Sequence, residues 1–143
     1  MTMMKKLFPT LVLLAALGTA ASGQSRIVTA REANGTYRDG RNEISILALG
    51  HNKLRISFDL TYEYKTPMGP SANEGVAEGE ATIENDTAVF NPPDFSGCTI
   101  TIKFLKGSRI KVIQTGDPAD CGFGNNVRAD GTYRKRSSKP PRF

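Results

Sequence analysis

Leu54, Ile56, Phe58, Leu60, Tyr62 and Tyr64 alternate without a break with Arg55, Ser57, Asp59, Thr61, Glu63 and Lys65. Alternation of this kind has the period of an extended chain with one buried face, and a helix would scatter the same residues around its axis. Twelve residues at about 3.3 Å each make a strand of about 40 Å, against a usual length of about five or six residues. A strand so long has to coil or bend, as strands of small barrels do.

The rest of the chain supplies its neighbours. Glu43 to Leu49 reads as a strand, and Gly50, His51 and Asn52 carry the turn chemistry for a hairpin into Lys53. Thr66 to Asn73, with Pro67, Gly69 and Pro70, reads as a loop at a barrel rim. Val76 to Glu84 places the small residues Ala77, Gly79 and Ala81 on the face shared with Ile83, which suits a crowded interior or a close backbone approach. Asn85 and Asp86 turn the chain into Thr87 to Phe90, and Pro92 and Pro93 end that pairing. Cys98, Ile100, Ile102 and Phe104 alternate with polar residues, and Lys106, Gly107 and Ser108 turn the chain into Arg109 to Thr115. Gly-Thr-Tyr-Arg occurs twice, at 35–38 and 131–134, and a pairing of these terminal strands would close the sheet and remove its edges. The reading is all-β: a small antiparallel barrel or rolled sandwich of about eight strands with one disulfide and no helix.

Lys5 and Lys6 precede an apolar run from Leu7 to Leu17 and the small residues Gly18 to Gly23, the pattern of a secretory signal with cleavage after Ala20 or Gly23. The run is shorter than the roughly 20 residues a membrane-spanning helix needs. Residues 1–23 are therefore read as a signal peptide, 24–135 as a single β domain and 136–143 as a basic flexible tail, in a periplasmic or secreted protein. The formal charge of +5 includes the two signal lysines. Removing the five cations Arg134, Lys135, Arg136, Lys139 and Arg142 as well leaves the remainder slightly acidic, so the basic character belongs to the C-terminus. Such a cluster is drawn to polyanions. Phe143 is its only aromatic, which leaves no platform for stacking bases, and nucleic acid is not expected as a partner.

Cys98 and Cys121 are the only cysteines, and an oxidising compartment bonds such a pair. A hairpin centred on Gly107 puts Cys98 opposite Thr115 or Gly116. The bond then draws the Gly- and Asn-rich segment 116–130 against the open end of that hairpin.

Asp120-Cys121-Gly122-Phe123-Gly124-Asn125-Asn126-Val127 and Ala129-Asp130-Gly131-Thr132-Tyr133-Arg134-Lys135 resemble a family of small secreted bacterial β proteins to which no activity attaches. The Gly-x-Tyr opening and the strand count are similar to the calycin class of ligand-binding barrels. Ser96 and Gly97 are similar to part of the Ser-Gly-x-x-Tyr pattern of periplasmic lysozyme inhibitors, with Ile100 at the tyrosine position.

Catalytic sets are hard to assemble from this chain. His51 is the only histidine and falls in a turn. With the cysteines bonded, no zinc ligand set remains. Glu78 and Glu80 lie on one solvent face rather than across a cleft, which a carboxylate-pair glycosidase requires. Asp117, Asp120, Asn125 and Asn126 lack calcium-loop spacing and read as turn residues. No enzyme activity and no cofactor are expected. The expected function is binding: Phe123, Asn125 and Asn126 on the stapled segment, with Tyr62 and Tyr64 beside the Pro-rich loop, face an envelope or extracellular protein such as a cell-wall hydrolase. The alternative is a barrel that carries a small apolar ligand, which requires an interior not filled by Phe58, Phe90 and Phe104.

Overall fold

The computed structural model describes residues 26–143. The expected signal peptide and its cleavage points lie outside the described residues. Eight antiparallel strands follow one another around a closed barrel: β1 (Gly35–Asp39), β2 (Asn42–Gly50), β3 (Lys53–Thr66), β4 (Gly69–Glu84), β5 (Thr87–Phe90), β6 (Thr99–Leu105), β7 (Arg109–Thr115) and β8 (Gly131–Ser137). Of the two architectures expected, the barrel is the one formed, and it closes where Tyr37 faces Lys135 and Arg38 faces Arg134. His51, Asn52 and Asn85 adopt left-handed backbone in the β2–β3 and β4–β5 turns, the conformation that tight hairpins demand and that Asn tolerates.

Alternation then does the sorting. Leu54, Ile56, Phe58 and Leu60 of β3, Ile100, Ile102 and Phe104 of β6, and Ile110 and Val112 of β7 all point inward and are buried. Phe58 and Phe90 meet with ring centroids 5.0 Å apart, and Phe104 meets Tyr37 edge-on. The small residues of β4 are small because of what lies over them. A Cβ on Gly79 would come within 3.4 Å of Pro93 and Phe90, and one on Gly75 would overlap Phe123 and Val127.

Both barrel ends are covered. One is covered by a single-turn helix absent from the sequence reading, α1 (Ala30–Ala33), held by a capping box in which Thr29 and Glu32 satisfy each other's backbone N–H groups. The backbone N–H of Thr29 also holds the Glu32 carboxyl below its ordinary pKa. Segment 116–130, the lid, covers the other end and buries Cys121, Phe123, Val127 and Ala129.

The repeat of Gly-Thr-Tyr-Arg proves to be longer and to have a structural role at each end. It reads Ala33-Asn34-Gly35-Thr36-Tyr37-Arg38 and Ala129-Asp130-Gly131-Thr132-Tyr133-Arg134. In both copies the tyrosine hydroxyl donates to the carbonyl of the alanine four residues earlier, at 2.9 Å. In both copies the Asx side chain accepts from the backbone N–H of the adjacent strand, Ala48 for Asn34 and Gln114 for Asp130. The two terminal strands thus enter the barrel by one device used twice.

Burial, with Glu32 near Tyr37 and Asp39 near Tyr133 adding to it, pushes both phenols far above the usual tyrosine range. The folded state keeps these protons while the unfolded chain loses them near pH 10, so their contribution is complete below about pH 10 and declines above it. Stability should fall by up to about 1.4 kcal/mol per pH unit for each tyrosine in that alkaline range. Urea midpoints measured from about pH 9 to about pH 11 should show this decline, and Tyr37→Phe/Tyr133→Phe should flatten it.

Two boundaries differ from expectation. Thr66 to Asn73 is not a rim loop: β3 and β4 stay paired from Lys53 and Thr82 out to Thr66 and Gly69, leaving only Pro67 and Met68 in the turn. Arg136 and Ser137 belong to β8, so the C-terminal extension begins at Ser138.

Candidate binding face

β2 accompanies β3 only as far as the pair Glu43 and Asp59, and Thr61 makes the last tie on that side, donating its N–H to Asn42 Oδ1 at 2.9 Å. Beyond it, the five pairs from Tyr62 with Asn73 to Thr66 with Gly69 have no further strand beside them. The ribbon so formed projects by about 15 Å at the usual rise per residue. Tyr62 and Tyr64 continue the inward-facing register of β3 past the end of the barrel, where there is no core to enter. Their rings stack with centroids 6.4 Å apart and are 40% and 38% exposed. Met68 at the tip is 99% exposed.

The lid docks at the base of this ribbon. Gly124 N–H donates to Glu74 O at 2.9 Å, and Asn73 Nδ2 donates to Asn125 O at 2.8 Å. Position 124 has to be glycine, since a Cβ there would sit 2.7 Å from that same carbonyl oxygen. Because Asn73 also faces Tyr62 across the ribbon, Tyr62, Tyr64, Asn125 and Asn126 share one end of the molecule, and the last two are exposed. Phe123 is the exception and corrects the expectation. It is 6% exposed, packed over Gly75, and it anchors the lid from beneath instead of meeting a partner.

The disulfide fixes the other side of the lid. Thr99 faces Thr115, so Cys98 lies opposite Gly116 as the hairpin register implied, and it bonds Cys121 with 4.9 Å between the Cα atoms. Gln114, the one buried polar residue among those described, joins the two ends of the segment: its amide donates to Gly116 O at 3.1 Å, and its carbonyl oxygen accepts from Ala129 N–H at 2.8 Å. A polar residue in the inward register of Ile110 and Val112 was the sequence signal for it. Gln114→Leu would strand the buried N–H of Ala129 and leave Gly116 O only the long contact from Arg128, and it should cost about 2 kcal/mol in urea unfolding, with faster amide exchange confined to the lid.

Between β5, which leaves β4 after the pair Ala81 and Phe90, and the lid bond at Glu74 lies a cleft of about 420 Å³ lined by Phe58, Pro93 and Phe95 and also by the acidic Asp59, Glu78 and Asp94. Met68, Asn73 and this cleft had no distinctive sequence signal.

Residues considered for chemistry do not converge. His51 lies in the β2–β3 turn beside α1, at the end away from the lid. Glu78 is ion-paired to Arg55. Asp120 accepts a turn bond from Asp117 N–H at 3.0 Å. Among the described residues no three His, Cys, Asp or Glu side chains group closely enough to hold a metal, and no helix is long and apolar enough to cross a membrane. Comparison with protein-family models, curated proteins and solved structures gave no match.

Proposed function

We propose that this is a non-enzymatic binding protein of the periplasm or extracellular space, which grips a protein partner with the β3–β4 ribbon and the disulfide-held lid. The observation that carries the reading is the ribbon itself: a narrow projection with two stacked, half-exposed tyrosines on one face and a fully exposed methionine at its tip. Tyrosine and methionine are enriched at interfaces, and tyrosine gives large contact area for little lost conformational freedom. A two-stranded projection of this length suits insertion into a groove, and inhibition of a cell-wall hydrolase such as lysozyme is the concrete form we favour.

The carrier reading is left with a different location. Phe58, Phe90 and Phe104 are buried in the interior, so a small apolar molecule would have to sit in the cleft beside Phe58 and Pro93.

Native mass spectrometry of the mature protein, purified gently from its own cell envelope, tests the two readings together. A co-purifying protein that is lost from Tyr62→Ala/Tyr64→Ala, a variant altered only outside the barrel, is the expected result. A retained small molecule with no protein would favour the cleft, and a protein complex indifferent to the tyrosines would contradict the ribbon.

A further inference from the structure

Of the five C-terminal cations, Arg134, Lys135 and Arg136 lie in β8 and so belong to the barrel wall, whereas Lys139 and Arg142 follow it. On the outer surface Arg134 of β8 stands in register between Arg109 of β7 and Arg38 of β1, and Lys103 of β6 faces Lys111 of β7. Arg136, two residues on in β8, is exposed as well. Like charges directly opposite one another weaken a sheet, so this arrangement is unfavourable until an anion meets it. Acidic partners occur only at its margins, Glu43 for Arg38 and Asp86 for Lys103. Among the described residues Arg109, Lys111, Arg134 and Arg136 take part in no ion pair. The next row of the wall is apolar: Val89 and Ile113 flank Thr101 in register and are 40% and 48% exposed. The opposite wall bears Glu74, Glu78, Glu80 and Glu84 along β4 against Lys53 and Arg55 on β3, so its acidic side chains outnumber its cations and the unpaired positive charge lies on the β7–β8 side.

We propose that the outer wall of β6, β7, β8 and β1 docks on a membrane surface bearing anionic phosphate headgroups, the cations meeting phosphates while Val89 and Ile113 rest at the headgroup level. A broad wall that spans several strands matches a sheet of charges better than one small anion. Exposed apolar side chains beside the lysines are the usual complement to charge in peripheral membrane binding. The surface is separate from the tyrosine ribbon, so either assignment can fail without the other.

Co-sedimentation with vesicles of phosphatidylcholine alone, or mixed in equal parts with phosphatidylglycerol, tests the assignment. The folded protein should pellet with the mixed vesicles only, less so as salt is raised. Arg109→Ser/Arg134→Ser should weaken binding about thirty-fold, since each surface cation near an anionic membrane contributes about five-fold. Lys111→Glu should weaken it independently, which covers the case of a double variant that folds poorly. Tyr62→Ala/Tyr64→Ala should bind like the wild type. Equal pelleting with phosphatidylcholine, no pelleting with mixed vesicles, or indifference to both cation variants would overturn the proposal. Full displacement by inorganic phosphate at matched ionic strength would do so too, by assigning a small-anion site.

Discussion

Phe90→Ala is expected to destabilise the barrel by about 3–5 kcal/mol, the range for truncating a fully buried phenylalanine whose surroundings cannot collapse. Phe90 has no solvent exposure, its ring lies 5.0 Å from that of Phe58, and it rests against the bare backbone of Gly79. Gly79 has no side chain to move into the vacated space, and Pro93 on its other side is held by its own ring. Urea midpoints of the two proteins measure the cost directly. The same variant probes the carrier reading, because an apolar cavity of that origin stays dry and accepts small aromatic molecules. Benzene should raise the melting temperature of the variant and leave the wild type unchanged. Benzene stabilisation of the wild type would instead favour the carrier reading, with the cleft beside Phe58 and Pro93 as the site.

Loss of the disulfide comes next in size. Cys98 and Cys121 are 23 residues apart, and closure of a loop of that length is worth about 3 kcal/mol in the chain-entropy account. For a domain of this size Cys98→Ala/Cys121→Ala should lower Tm by about 10 °C. The effect should also be uneven. Segment 116–130 is rich in Gly, Asn and Asp, and without the bond it is held by the two contacts to Asn73 and Glu74, by Gln114 and by burial of Phe123 and Val127. Amide exchange should therefore accelerate in the lid well before the strands. An unchanged Tm on reduction would show that the lid is held without the bond.

How far the chain could be read depended on whether a feature is written in local periodicity. The central strands leave their mark as alternation, because a barrel wall buries one side chain in two, the terminal strands β1 and β8 are marked by their repeat, and the turns at His51–Asn52 and Asn85–Asp86 by residues that accept left-handed backbone. The outer half of the β3–β4 ribbon was hidden by Pro67, Gly69 and Pro70. Pro70 is tolerated there because the β4 residues of even number aim their backbone groups away from β3. Glu74 O reaches the lid on that side, whereas Ile83 N–H bonds Asn52 O on the β3 side, so the proline's missing N–H removes no ladder bond. Phe123 was misread because a stapled segment has an inner and an outer side, and nothing in Cys-Gly-Phe-Gly-Asn-Asn tells which residue turns inward. The cationic wall was not legible because Arg134 and Arg136 are close in sequence, whereas Arg38 and Arg109 join them only through strand pairing. Tyr62 and Tyr64 were visible as aromatics; that they leave the barrel follows from where β2 ends, which is a property of the neighbour.

The central claim, that the ribbon end of the barrel meets a protein, is tested most directly by placing a photoreactive phenylalanine at position 64 and, in a separate protein, at position 51 in the turn at the far end. Irradiation in the native envelope should join the position-64 protein to one discrete partner and leave the position-51 protein uncoupled. Equal coupling from both ends, or a partner trapped only from position 51, would contradict the assignment of the binding face.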